Sequence, residues 1–377
     1  MKWFVAMLIV GCAAFGRAAE VPVPPLPAFQ GGGPLRGVAE PIAPPPYAVR
    51  WKFLAGEDGG DRAAIENSPA IAGDTVYVAD STGVLYAIDL AKGQPKWTYK
   101  SEGGFATTPL VLKDRIYLGD LGGMFHCVSD KGQKIWTFDS GGSIHSSANA
   151  SPDGKVIVFG NDSAEAFGID AASGKELWRG KAGDRINACP AVAYGAAFFT
   201  GCDARLLALN LKDGTERFAI DLGGMAPASP TLLDDRIITA TAEGAVLAYS
   251  PDGKQQLWKY EDVDQAQAMF YSSPAAADGI IVLGCRDRQV HAIDAQTGKR
   301  VWAFKTRGEV DATATISGGR VYVPSKDKKL YVLDLKTGKK LWEFPAGRGV
   351  TAGPAVGSGV VVFGDTAGNV YCLEAKE

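Results

Sequence analysis

The chain has 377 residues, 46% of them apolar and 21% charged, with 47 glycines and a formal net charge of −3. A surface so near neutrality, without a long Lys/Arg run, sets up no field that would gather a polyanion, and this excludes nucleic acid as a partner. The length exceeds the roughly 250–300 residues that one core sustains, so a glycine-rich chain of this size points to many small units.

Lys2, an apolar stretch from Trp3 to Val10 and the small residues after it read as an export signal, too short to cross a bilayer as a stable helix. Two processing readings stay open. Cleavage after Ala18, with Gly16 and Ala18 at the small-residue positions, makes residues 1–18 a signal peptide and leaves the protein in the periplasm. The run Ile9-Val10-Gly11-Cys12 has instead the form of a lipoprotein box, which would place a lipid anchor on Cys12 and tie the protein to the cell envelope. Residues 19–46 hold nine of the 21 prolines and are expected to form an extended, poorly packed linker.

From residue 47 onward the chain repeats about every 40 residues. Each repeat closes on a large aromatic: Trp51, Trp97, Trp136, Trp178, Phe218, Trp258, Trp302 and Trp342. Each opens on a small residue, usually before proline: Ser68-Pro69, Thr108-Pro109, Ser147-Ala148, Cys189-Pro190, Ser229-Pro230, Ser273-Pro274, Thr313-Ala314 and Gly353-Pro354. In the first full unit, strands are expected over residues 70–71, 75–79, 84–88 and 96–99, with Gly, Asp and Ser at the breaks, which makes a four-stranded antiparallel meander. The turn before each closing aromatic, as in Asp294-Ala295-Gln296-Thr297-Gly298, uses the carboxylate to accept backbone N–H groups and the glycine for a positive φ. The small residue ten positions before such a tryptophan, Ala87 for Trp97 and Ala292 for Trp302, leaves a slot in which the indole docks between neighbouring sheets.

Counting sets the closure. The last unit supplies three strands and ends, while the unpaired strand Val49-Arg50-Trp51-Lys52-Phe53 stands at the other end of the repeats. Joining them gives an all-β, monomeric, eight-bladed propeller over residues 47–377 whose last blade borrows the N-terminal strand and leaves no open sheet edge at the seam. The six cysteines contain no CxxC, so no zinc knuckle is expected and no metal site is assigned. Cys127 and Cys372 occupy positions filled elsewhere by alanine and read as buried fillers, while Cys189 and Cys202 lie on one hairpin where an exported protein can bridge them.

Function on such a ring sits in its loops and at its axial mouth. Two connections from a closing aromatic to the next opening are longer than the rest. The first contains Glu57, Asp58, Asp61 and Arg62; the second contains Glu261, Asp262, Asp264, Met269 and Phe270. Both are expected on one face as an edge for a protein partner. Two positions before each opening residue stand Glu66, Ala106, His145, Asn187, Pro227, Tyr271, Asp311 and Thr351. Glu66, His145, Asn187, Tyr271 and Asp311, with Arg185 nearby, form the candidate funnel cluster. A solvated funnel without a ligand is the plainer account of the same residues.

The unit carried by Val76-Tyr77, Gly83, Leu85-Tyr86-Ala87-Ile88-Asp89 and Trp97, and again by Val321-Tyr322, Leu330-Tyr331-Val332-Leu333-Asp334, Thr337-Gly338-Lys339 and Trp342, resembles the pyrroloquinoline quinone (PQQ) enzyme repeat, or tryptophan-docking motif. The repeat is shared by quinoprotein dehydrogenases and by propellers without a cofactor. Among the latter, length, export signal and blade number are similar to the family of the outer-membrane assembly lipoprotein BamB. That resemblance implies a non-catalytic scaffold, without cofactor, bound to another envelope protein. The alternative is a PQQ-dependent dehydrogenase using Ca²⁺, or a propeller that binds a small ligand. The dehydrogenase resemblance implies adjacent cysteines beside the quinone, and no Cys-Cys pair occurs in this chain.

Overall fold

Each repeat forms one four-stranded antiparallel sheet. A computed structural model describes residues 28–56, 63–261 and 268–376. In the first full unit, blade 1, the strands are Ala70–Ala72, Thr75–Ala79, Val84–Asp89 and Pro95–Lys100, each within a residue or so of expectation. The middle strands are buried on both faces and are rich in branched and aromatic side chains, whereas the outer strand has one edge in water and alternates in exposure. Blades 2 to 7 repeat this order. Blade 8 takes Ala355–Gly357, Val360–Gly364 and Asn369–Ala375 from the C-terminus and Tyr47–Leu54 as its outer strand, with Trp51 opposite Cys372. The innermost strands touch in sequence, and those of blades 8 and 1 close the circle.

Turn chemistry sets the docking geometry. Asp294 accepts the N–H of Gln296 and Thr297, and Asp334 that of Thr337, while Gly298 and Gly338 hold φ near +69° and +68°. These glycines also form the far wall of the indole slot. A Cβ on Gly338 would stand 2.5 Å from the Trp302 ring, one on Gly93 equally close to Trp51, and Gly132, Gly174, Gly214, Gly253 and Gly298 face the preceding blade's aromatic in the same way. The slot is therefore floored by Ala87-type residues and walled by the next blade's turn glycine. Five indole N–H groups also donate across the interface, for example Trp51 to the Leu90 carbonyl at 2.8 Å and Trp302 to that of Leu335 at 2.8 Å. Among the described residues the Trp136 Nε1 has no partner, and Phe218 carries no donor. At Trp342 the facing turn is missing, because the last blade is stitched from two chain ends; Tyr47 fills the place, edge-on at 5.2 Å, and hydrogen-bonds Tyr322.

A second aromatic contact sits two residues after the docking position. Phe53 meets Tyr86, Tyr99 meets His126, Phe138 meets Phe167, Tyr260 meets His291, Phe304 meets Tyr331 and Phe344 meets Tyr371 across successive blades. Around the axis the small opening residues have their own role: the Ser68 N–H donates to Thr108 Oγ1, Thr108 to Ser147, Cys189 to Ser229, Ser229 to Ser273 and Ser273 to Thr313. This hydroxyl ring explains why Ser and Thr predominate there.

One expectation needs correction, and one open alternative, the Cys189–Cys202 bridge, is decided. Residues 28–46 are not an unpacked linker. After a short turn at Phe29–Gly31 they run along the inner strands as a strap, the carbonyls of Gly33, Pro34, Arg36 and Gly37 accepting N–H groups from Val192, Leu232, Ala276 and Ile316 of blades 4 to 7. Leu35 is fully buried, Val38–Ala39 pairs in parallel with the inner strand of blade 7, and Glu40 caps Ser358 of blade 8. The inner strands otherwise leave unpaired N–H groups facing the channel, and the strap satisfies them. Cys189 and Cys202 are both free thiols, the former buried. Cys127 and Cys372 are fully buried fillers opposite Trp136 and Trp51. Cys12 and residues 1–18 lie outside the described residues.

Candidate functional site

The connection from each outer strand to the next inner strand emerges on one face, together with the turn between second and third strands, since Ser81 N–H bonds the Ala64 carbonyl and Leu121 that of Gly104. On this face the eight residues two positions before each opening meet around the axis. Glu66, Ala106, His145, Asn187, Pro227, Tyr271, Asp311 and Thr351 all line one cup of about 190 Å³. Phe29 of the strap lines its bottom and also a second chamber of about 350 Å³ on the opposite side, so the axis is divided at this ring. Arg185 does not line the cup; it is exposed, 4.0 Å from Asp184.

The cup's polar groups fall into two sets. On one side Asp311 is gripped by Arg286 at 3.0 Å and Lys326 at 2.7 Å, and the Arg286 guanidinium lies 3.6 Å from the Tyr271 ring centre. Burial raises the Asp311 pKa, but bonds from Arg286 and Lys326 outweigh it and hold the carboxylate below its usual range. His145 pairs with Asp162 at 3.2 Å. On the other side Glu66 has no hydrogen-bond or ion-pair partner among the described residues. Beside it Asn67, 4% exposed, donates its amide nitrogen to the Ala79 and Phe105 carbonyls and leaves Oδ1 without a partner. Asn187 Oδ1 and Thr351 Oγ1 are likewise buried and unpartnered. A quinone with its calcium fits poorly here: the cup is smaller than the roughly 300–1,000 Å³ of sites that enclose a molecule of that size, and Asp311 is already neutralised by two cations.

Of the two long connections, Glu57, Asp58, Asp61, Arg62, Asp262 and Asp264 lie outside the described residues. Glu261 is exposed and paired with Lys259 at 2.6 Å, and Met269 is 42% exposed. Phe270 is fully buried, packed edge-on against His291 at 5.4 Å, and so belongs to the blade interface instead of a partner surface. The signal for this was in the sequence: Ile65, Phe105, Ile144, Ile186, Ala226, Val310 and Val350 hold the same position and are buried too. At the next position toward the N-terminus Met269 was expected on the partner edge, while its counterpart Met225 was missed. There Met225 and Met269 stand on adjacent blades, 44% and 42% exposed, their carbonyls bonded to Ala242 and Arg286.

Cys285, Asp287 and His291 bring three potential metal donors within 4.8 Å. The same place in blade 7 holds Ser325, Asp327 and Tyr331, with Tyr331 donating to Asp327 at 2.7 Å, and in blade 2 His126 contacts Asp120 at 2.8 Å. Turn closure accounts for the cluster. Burial pushes the Cys285 thiol up to about 12, which keeps it protonated.

The family model described as "Outer membrane protein assembly factor BamB" matches residues 48–184, 122–261, 168–286 and 242–377. The chain belongs to this family. Its BamB relative from Shewanella oneidensis is 27% identical over 182 residues, 42% of this chain and 46% of the relative, so the match spans less than half of that protein's length. The crystal structure of BamB from Moraxella catarrhalis superposes with a TM-score of 0.71 at 17% identity, covering 88% of this chain and 99% of that one. The quinohemoprotein alcohol dehydrogenase of Comamonas testosteroni gives 0.78 at 14% identity, covering 94% and 81%. At such identities both structures speak to the fold alone, which a scaffold and an enzyme share.

Proposed function

We propose that this protein is an exported, non-catalytic scaffold of the cell envelope that binds a protein partner through the face carrying the cup, within outer-membrane protein assembly. The observation that carries the reading is the pair Met225 and Met269, exposed at equivalent positions on the neighbouring blades 5 and 6 of a BamB-family propeller, Met269 following the acidic segment 261–264 in the sequence. Methionine is unbranched and polarisable, and adapts to an apolar partner at low cost. Acidic residues around such a patch steer a basic partner and set its orientation. The test is capture of an outer-membrane assembly subunit, identified by mass spectrometry, from envelope extract. Met225→Lys with Met269→Lys, and charge reversal at Glu57, Asp58, Asp262 and Asp264, are expected to abolish capture at an unchanged melting temperature. Undiminished capture by both variants would count against the reading. Mixing the same protein with PQQ and Ca²⁺ is expected to give no dye reduction.

A further inference from the structure

Three polar side-chain atoms of residues lining the cup have no hydrogen-bond partner among the described residues. Thr351 of blade 8 and Glu66 and Asn67 of blade 1 are neighbours on one wall; Asn67 Oδ1 and Thr351 Oγ1 are buried without partners, and Glu66 has none among the described residues. Asn187 Oδ1 on blade 4 adds an acceptor across the cup. The orientation of Asn67 is fixed, because its nitrogen must face the Ala79 carbonyl at 3.0 Å. Buried amide oxygens without donors are costly, and Asn67 Oδ1 and Asn187 Oδ1, with a Thr351 hydroxyl that can accept as well as donate, mark a place for a ligand rich in N–H or O–H. The available charge is a single carboxylate, Glu66, because Asp311 is already held by Arg286 and Lys326. One negative charge with neutral amide and hydroxyl oxygens is a weak set for a divalent ion, which seeks several carboxylates. It suits a monovalent cation with several donors. Ala106, Ala188, Pro227 and Phe29 at the bottom add apolar surface that accepts a short methylene stem, among the hydroxyl-bearing Ser68, Thr108, Ser147, Ser229, Ser273 and Thr313.

We infer that the cup binds the head of an organic cation, an alkylammonium or alkylguanidinium, with Glu66 as counter-ion and Asn67, Asn187 and Thr351 as acceptors. The chemistry is shared by a lysine or arginine side chain of a protein and by a free polyamine. The assignment stands independently of the scaffold reading, since it concerns the axis and not the methionine pair. Calorimetric titration at fixed ionic strength with N-acetyl-arginine methylamide, spermidine and butyrate tests it on the full mature chain. One or both cations are expected to bind saturably with one-to-one stoichiometry while butyrate does not; tighter binding of the arginine compound assigns a protein side chain as the source, tighter binding of spermidine a free amine. Glu66→Gln, at an exposed position without a partner among the described residues, is expected to weaken binding about tenfold, the loss of one charge-assisted contact. Thr351→Val provides a second variant and is expected to weaken it less. Absence of saturation by either cation, equal binding of butyrate, or a Glu66→Gln isotherm identical to the parent overturns the assignment.

Discussion

His126 shows how one side chain couples the ring to pH. Its Nε2 lies 2.8 Å from Asp120 Oδ2 and its Nδ1 3.0 Å from the Tyr99 hydroxyl, so a neutral ring donates to the carboxylate and accepts from the phenol. Burial lowers its pKa, and the Asp120 bond and charge only partly offset this. A histidine whose folded pKa is depressed contributes stability that is present above its unfolded value, near 6.5, and is lost as pH falls through the folded value. Asp120 acts in a lower window: burial raises its pKa, but bonds from Ser101 and His126 outweigh it, and its contribution is lost as pH falls below the carboxylate range. Blade 1 carries the titration-free version of the same pair, with Phe53 in place of Tyr99 and Tyr86 donating to Asp80 at 2.8 Å. The double variant Tyr99→Phe, His126→Tyr is therefore expected to keep its denaturation midpoint between pH 6.5 and pH 5, where the parent declines. Parallel urea titrations across that range check it, and equal declines in both proteins would remove His126 from the account.

The docking tryptophans differ in a way that only the interface reveals. Trp302 is 9% exposed and donates to Leu335, whereas Trp136 buries an Nε1 without a partner. Trp302→Phe is expected to destabilise by about 1 kcal/mol beyond its packing loss, the usual net worth of a hydrogen bond. Trp136→Phe loses no such bond and sheds an unsatisfied donor, so its urea midpoint should stay close to the parent's; a cost equal to that of Trp302→Phe would contradict this. Much of this architecture was readable in the sequence, because Asp294, Gly298 and Trp302 sit in a local pattern that one turn enforces. The convergence of Glu66, Asn187 and Asp311 on the axis was equally readable, since equivalent positions in a closed ring must meet. The strap was not. Gly33, Pro34, Arg36 and Gly37 contribute backbone carbonyls to partners more than 150 residues away, and a carbonyl leaves no mark in side-chain composition. The proline content that suggests an extended chain is compatible with a strap for the same reason that it suits a linker: both are extended, and the difference lies in the inner strands that receive it.

A ring of eight sheets is only as stable as its seam, because seven sheets are each built from one continuous stretch of chain and the eighth alone is assembled from two distant segments. Tyr47–Leu54 pairs with Asn369–Ala375 along nearly its whole length, places Trp51 against Gly93 of blade 1 and puts Tyr47 against Trp342 of blade 7. One strand thereby completes a sheet and both of its neighbouring interfaces. Its loss exposes a long, flat edge on Asn369–Ala375, a template for intermolecular pairing. The strap and the seam strand are consecutive, so two truncations separate them. A chain beginning at residue 44 loses the strap and keeps the seam; it is expected to melt a few degrees lower, having lost the burial of Leu35, worth roughly 2 kcal/mol, and several backbone bonds. A chain beginning at residue 56 loses both. It is expected to melt many degrees lower still and to aggregate, since Trp51 alone represents about 3–5 kcal/mol of packing. Adding a synthetic peptide of residues 44–56 to that shorter chain is expected to restore most of the difference, as measured by thermal denaturation and light scattering. Equal melting of the two truncations would show that the ring holds without its borrowed strand.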